Sequence, residues 1–306
     1  MTIQRIGIVH PGEMGISIAA ATQKTGHPVY WASEGRSAQT RERAAKFELR
    51  DVQTLANLCA TCSLIVSVCP PHAADAVAQQ VLAHAFTGLY LEANAIAPQR
   101  AVRMSQAMTA AGITFVDGGI IGGPAWTPGA TCLYLSGPRA DEIAACFSAG
   151  PVETRVMGVE AGQASALKMC YAAYTKGTTA LLCAILAAAE RLGVREELYR
   201  RWSQEDADFA EQVVQRTRQV TAKAWRFAGE MEEIAATFRE VGLPGEFHVA
   251  AALLYRRLAP FKTARGTPAL EEVLAALCET ETAEAGAGTP LKEGSKAVGE
   301  RHHPNG

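Results

Sequence analysis

His10-Pro11-Gly12-Glu13-Met14-Gly15 follows directly on the apolar run Ile6-Gly7-Ile8-Val9, and this junction decides the fold. A short apolar strand that passes through a glycine turn into a helix is the opening βα unit of a dinucleotide-binding domain. In its Gly-x-Gly-x-x-Gly form the first glycine makes the tight bend. The second lets the backbone approach a pyrophosphate, and the third lets helix and strand pack closely. Gly12 and Gly15 stand in the second and third places, and His10 stands in the first. The helix N-terminus would then aim N–H groups at phosphates. Two glycines of three are a weak signal alone, so the surrounding chain has to carry it.

Outward from this turn, short β-rich runs alternate with longer helical stretches. Strands are expected at Arg5–Val9, Pro28–Trp31, Leu64–Cys69, Gly88–Glu92, Thr114–Asp117 and Cys132–Ser136. Helical patterns occupy Ile16–Thr25, Ala38–Lys46 and Ala73–Ala85. That alternation predicts a doubly wound parallel sheet, an α/β Rossmann architecture. Cys69-Pro70-Pro71 and Ala97-Pro98 end strands at the edge where such sheets bind ligands. From Gln163 to Leu192 there is no proline and one glycine, Gly177, which predicts a helix of about thirty residues. Its middle is apolar all round, and Ala180, Ala184 and Ala188 form a small-residue ridge. Further helices are expected at Glu196–Arg201, Gln204–Glu230, Met231–Val241 and Glu246–Leu258, with no strand among them.

The 306 residues exceed one usual core, so two domains and a tail are expected: 1–158 cofactor-binding, 159–275 all-α, and 276–306 disordered. His302-His303 reads as tail composition and not as a metal site. A long apolar helix in an all-α half calls for a homodimer to cover it. With 48% apolar and 20% charged residues and a net charge of -2, the chain has no electrostatic footprint for nucleic acid or an acidic membrane. The N-terminus shows no signal-peptide pattern, and no uninterrupted apolar run reaches spanning length. Eight cysteines are then expected as reduced thiols in the cytoplasm. The one close pair, Cys59-Ala-Thr-Cys62, lacks the partners of a metal or redox site, and no metal is expected.

Three stretches carry the chemistry. The second strand runs into Ser33-Glu34-Gly35-Arg36-Ser37, where an acid would bind the ribose hydroxyls of NAD. Ser33 takes that place here, and Ser33, Arg36 and Ser37 offer hydroxyls and a guanidinium for a 2′-phosphate, which favours NADP over NAD. Asp117-Gly118-Gly119-Ile120-Ile121-Gly122-Gly123-Pro124 reads as a backbone-rich loop at a cleft mouth. Gly162 to Met169 opens the long helix and places Lys168 in its first turns. There the helix dipole and burial both favour a neutral amine, fit for exchanging a proton with a substrate oxygen. Tyr171 and Thr175 follow three and seven residues on, which puts them on the same helix face.

These stretches resemble, in order over about residues 5–190, the β-hydroxyacid and 6-phosphogluconate dehydrogenase superfamily. Gly12-Glu13-Met14-Gly15 is similar to its cofactor turn, and Glu92-Ala-Asn94-Ala-Ile-Ala-Pro98 to its Asp-x-Ser/Asn-x-x-x-Pro segment. Asp117–Gly123 resembles its substrate loop, and Lys168-Met169 with Gly177 its catalytic-lysine helix. The helical region Gly158–Lys262 looks like a divergent C-terminal domain of poorly characterised members. The resemblance implies that His10, Pro11, Gly12, Glu13, Met14, Ser33, Arg36, Ser37, Cys69, Pro70 and Asn94 border NADP. It implies catalysis by Lys168 with Tyr171 and Asn94, and a substrate held by Ile121, Gly122, Gly123, Lys168, Tyr171 and Thr175.

Two departures narrow this. The family's loop serine falls at Ile121, and its asparagine one turn after the lysine falls at Ala172, beside Tyr171. A hydroxy-acid-like or less polar substrate is therefore expected. Asp-Gly-Gly-Ile also resembles imine reductases, which keep C=N reduction as an alternative, as is a non-catalytic NADP-binding sensor. Trp225, Met231, Phe247 and His248 could line the cleft, contributed by a partner subunit, or belong to the core.

Overall fold

A computed structural model describes residues 3–279. The opening βα unit is present: β1 (Ile6–Ile8) is fully buried and passes through Gly12 into α1 (Glu13–Gln23). The chain continues through β2 (Val29–Trp31), α2 (Ala38–Lys46), β3 (Arg50–Asp51), α3 (Leu55–Thr61), β4 (Leu64–Ser67) and α4 (Ala74–Ala83). It then forms β5 (Leu89–Glu92), α5 (Pro98–Ala110), β6 (Thr114–Gly122), β7 (Thr131–Ser136), α6 (Ala140–Ala145) and β8 (Glu153–Gly158). The sheet order is β3-β2-β1-β4-β5-β6-β7-β8, parallel throughout except between β6 and β7. The winding reverses between β1 and β4, so the ends of those two strands frame the ligand crevice of a doubly wound sheet.

Strand alternation sends side chains to two cores. Leu64, Val66, Leu89, Leu91 and Val116 pack with α1 residues such as Ile16 and Ile18 on one face. Ile65, Tyr90 and Phe115 pack on the other with Leu58, Val77, Val81 and Met104, from α3, α4 and α5. Two strands were not legible in the sequence. Both residues of β3 are exposed and polar, and β8 is exposed or half-buried throughout, so neither carries an apolar pattern. Pairing alone makes them strands, through Tyr30 with Arg50 and Leu133 with Thr154. The glycine stretch after Asp117 is also not an open loop: Gly118 to Gly122 extend β6 and pair antiparallel with β7.

The long helix runs as α7 (Gln163–Ala172), a single π turn at Ala173–Gly177, and α8 (Thr178–Arg191). Its 29 residues, with a mean hydropathy of 1.3, meet the length and composition of a membrane span. It nevertheless packs on β6 and α5 at its start, and Met169, Ala180, Cys183 and Leu186 enter the helical core. Around it fold α9 (Arg195–Glu205), α10 (Phe209–Gln219), α11 (Thr221–Glu240), α12 (Glu246–Arg257) and α13 (Leu270–Cys278). No strand occurs between 159 and 279 among the described residues. The expected single helix over Gln204–Glu230 is corrected: Asp206 accepts from the Asp208 N–H (3.1 Å), a local turn that ends α9 and restarts the chain as α10. Glu230 and Met231 lie in the interior of α11, not at a helix boundary. Helix α13 carries order to Cys278, with Leu277 buried, so residues 276–278 are helical. Residues 280–306 of the expected tail, including His302-His303, lie outside the described residues.

Candidate functional site

The turn after β1 works without its first glycine for a simple steric reason. His10 has no positive φ, and its carbonyl accepts the Gly12 N–H at 2.8 Å, so the bend is made by a conformation open to any residue. The requirement falls on Gly15, where a Cβ would lie 2.1 Å from the His10 carbonyl oxygen. Gly12 has open space where its Cβ would be, with nothing within 4 Å. No side chain caps α1, so its first-turn N–H groups, including those of Glu13, Met14 and Gly15, have no intrahelical acceptor. Beside them His10 Nδ1 and Arg36 Nε are buried without a hydrogen-bond partner. Burial, then Arg36, lowers the His10 pKa to about 4, so its imidazole is neutral. Arg36 is also within electrostatic range of Cys69, two residues past the end of β4. Orphan donors, a bare glycine and an uncapped helix end fit a phosphate-bearing dinucleotide. Ser33 is buried nearby, whereas the Ser37 hydroxyl caps α2 by accepting from the Thr40 N–H (3.3 Å).

Asn94 is buried, with both ends of its amide used. Its Oδ1 accepts from the Cys69 N–H, and its Nδ2 donates to Ser67 Oγ at 3.0 Å. It is a clamp between the ends of β4 and β5. Beneath it lies Glu92, fully buried, accepting from the Asn94 N–H (3.0 Å) and Tyr90 Oη (3.3 Å). Burial pushes the Glu92 carboxyl up to about 8, helped by Asp117 on the neighbouring strand.

Asp117 fixes the start of α7. It accepts from the N–H groups of Gly162 (3.0 Å) and Ser165 (2.9 Å), and from the hydroxyls of Ser165 (2.5 Å) and Ser136 (3.2 Å). It therefore caps α7 from the sheet. Gly119 completes the junction: a Cβ there would lie 2.6 Å from the Ala164 carbonyl and 3.2 Å from Lys168 Cβ. The glycines of this segment thus serve close approach of α7 to β6 more than an exposed loop. The result is that Lys168 lies against the strand and donates to the Ile120 carbonyl at 2.6 Å. Burial, then the nearby Lys176 ammonium, lowers the Lys168 pKa to about 8.

Lys176, Glu230 and Arg226 were missed in the sequence. Eight residues after Lys168, Lys176 would sit about 80° away around an unbroken α-helix. The extra residue of the π turn brings the two to within about 20° of each other. The same turn takes Thr175 off that face, and its hydroxyl donates back to the Tyr171 carbonyl (3.0 Å). Tyr171 is exposed. Lys176 pairs with Glu230 of α11, both largely buried. Burial presses Glu230 toward its neutral form, but Lys176, Lys168 and Arg226 outweigh it and hold its carboxyl below the usual range. The i, i+4, i+7 spacing of Arg226, Glu230 and Glu233 was the available signal. Met231 and His248 are instead core, Phe247 stacks edge-on against His248, and Trp225 is partly exposed under Lys262. Ile121 is half-buried and Gly122 and Gly123 are exposed beyond the Ile120 carbonyl that Lys168 holds.

Helix α11 of the same chain also closes on the Rossmann domain. Glu233 accepts from the Ala97 N–H (2.7 Å) and pairs with Arg100, which reaches Asp75 and the Pro71 carbonyl (3.1 Å) as well. These contacts hold α11 against the strand ends that frame the crevice.

Residues 5–147 match the NAD binding domain of 6-phosphogluconate dehydrogenase, and 189–258 a domain of unknown function, DUF1932. A conserved protein of unknown function, described as structurally similar to 3-hydroxyacid dehydrogenases, shares 27% identity, with 90% of this chain and 100% of that one covered at a TM-score of 0.64. The 3-hydroxyisobutyrate dehydrogenase of Mycobacterium tuberculosis is 16% identical over 91% of this chain and all of its own, with a TM-score of 0.65. An imine reductase variant from Myxococcus stipitatus, solved with NAD+, is 17% identical over 91% and 100%, at 0.53. The last two are likenesses of fold. The chain thus carries an NAD-binding domain of the 6-phosphogluconate dehydrogenase type followed by a DUF1932 domain, the organisation of a divergent NAD(P)-dependent dehydrogenase or reductase.

Proposed function

We propose that this protein is an NADP-dependent oxidoreductase that interconverts a carbonyl and an alcohol on an acidic substrate, with Lys168 as general acid/base. Lys168 carries the reading: a half-buried amine, bound by one carbonyl and with its pKa lowered to about 8, in a cleft of positive charge. Bound at the β1–α1 turn, the nicotinamide cofactor would supply or accept the hydride. In reduction the Lys168 ammonium gives its proton to the substrate oxygen and steadies the negative charge that grows there. In oxidation the neutral amine takes the hydroxyl proton. Three cations against the single carboxylate of Glu230 favour an anionic substrate and disfavour an iminium.

Arg36 with its unpartnered Nε, and buried Ser33, support NADP over NAD. The exposed Tyr171, Tyr174 and Leu181 along the long helix support a homodimer, and eight free cysteines support a reducing cytoplasm. The test is turnover of 3-hydroxy acids, 3-keto acids and cyclic imines with either cofactor. Lys168→Ala should cut turnover of the acids 100-fold or more, with NADP binding near normal. Unchanged turnover refutes the role of Lys168, and equal efficiency with NAD refutes the cofactor preference. Amine formation from cyclic imines that ignores Lys168→Ala would identify an imine reductase. Binding of NADP without turnover of any substrate would identify a sensor.

A further inference from the structure

The hydroxyl that would hold a substrate carboxylate is missing at Ile121, yet the cleft has more positive charge than its one acid can neutralise. Its cations are not equivalent. Lys176 is spent on Glu230, and Lys168 is held by the Ile120 carbonyl. Arg226 is different: its Nε is buried with no hydrogen-bond partner among the described residues, and its guanidinium stands 5.8 Å from the centre of the Phe227 ring. A buried guanidinium N–H without an acceptor is costly, because the desolvation of the donor is not repaid. One turn before Glu230 and two before Glu233, Arg226 lies on the face of α11 that meets the long helix and the Rossmann domain. Its charge is felt at both Glu230 and Lys168.

We propose that Arg226, reaching from the helical domain, is the anion-binding residue of this site and holds the carboxylate or phosphate oxygens of the substrate in place of the hydroxyl absent at Ile121. A planar fork of N–H donors matches two oxyanion oxygens at once, which neither a serine nor a lysine does. Specificity for an acidic substrate then comes from α11 and not from the β6–β7 turn. The assignment rests on reading the cleft as a substrate site, but its test reads binding and not turnover.

The full-length protein, saturated with NADP+, is titrated calorimetrically with 3-hydroxypropanoate, with its neutral isostere 3-hydroxypropanamide, and with inorganic phosphate. The wild type should bind the acid at least 10-fold more tightly than the amide. Arg226→Gln should weaken the acid 10- to 100-fold and leave the amide within 2-fold, in keeping with loss of a charged hydrogen bond. Arg226→Lys, which keeps the charge without the fork and covers the case of a glutamine variant that does not fold, should recover part of the affinity. Phosphate bound more tightly than the acid, and lost equally in Arg226→Gln, supports the clamp and assigns the anion as a phosphate. Acid binding unchanged in Arg226→Gln, or a wild type with no preference for the acid over the amide, overturns it. Binding that depends on Arg226 without turnover would overturn the oxidoreductase reading alone.

Discussion

Replacing Glu92 by glutamine should stabilise the protein, and the gain should grow with pH. Glu92 is fully buried beneath the Asn94 clamp, with Tyr90 and the Asn94 N–H as its donors and Asp117 as a like-charged neighbour. Folding raises its pKa from 4.5 to about 8, so its contribution is complete below pH 4.5 and is lost as the pH climbs through 8. At about 1.4 kcal/mol per pH unit, ionisation withdraws roughly 3 kcal/mol by pH 7 and close to 5 kcal/mol above pH 8. Glutamine keeps the shape and can meet the same two partners, but it does not ionise. Urea unfolding of both proteins at pH 5 and pH 8 reads the effect, because any fixed cost of the amide cancels between the two. The advantage of Glu92→Gln should rise by roughly 3 to 4 kcal/mol across that range. With an m-value of about 3 kcal/mol/M, this separates the midpoints by about 1 M more at pH 8 than at pH 5. A separation that is the same at both pH values would refute the argument that Glu92 is held neutral by burial.

Three further outcomes follow from the geometry. Gly15→Ala puts a Cβ 2.1 Å from the His10 carbonyl, so NADPH titration should show affinity lost by at least 10-fold with a fall in Tm; retained affinity would show that the turn can shift. Lys168, with a pKa of about 8, should make reduction fall as pH rises through 8 and oxidation rise over the same interval; profiles flat between pH 6.5 and 9.5 would exclude it as the proton carrier. Glu233→Ala leaves Arg100 and the Ala97 N–H without their partner from α11, and thermal unfolding should register a loss on the order of 3 kcal/mol. A Tm within 1 °C of wild type would show that α11 is held by its apolar contacts alone.

Local patterns made much of this protein legible in one dimension. The βα turn at His10–Gly15, the alternation of strands and helices, and Lys168 near the start of a long helix all follow from short-range sterics and periodicity. Elements without an apolar signal were not legible: β3 and β8 are strands only because a neighbour pairs with them. The glycines after Asp117 read as an exposed loop, because sequence spacing does not reveal that α7 lies directly upon them. Asn94 was recognisable as polar and at a strand end, but only the approach of β4 shows that both ends of its amide are occupied.

The opening turn, Gly15 and the place of Lys168 near a helix start were therefore set by residue order, since each depends on residues close by in the chain. The character of the cleft was decided in three dimensions. One π turn rotates Lys176 onto the side of Lys168, and α11, some fifty residues further along, brings Glu230 and Arg226 to them. Electrostatic neighbours so distant in the chain leave no local pattern, and in this protein they act beside burial on the proton affinity of Lys168.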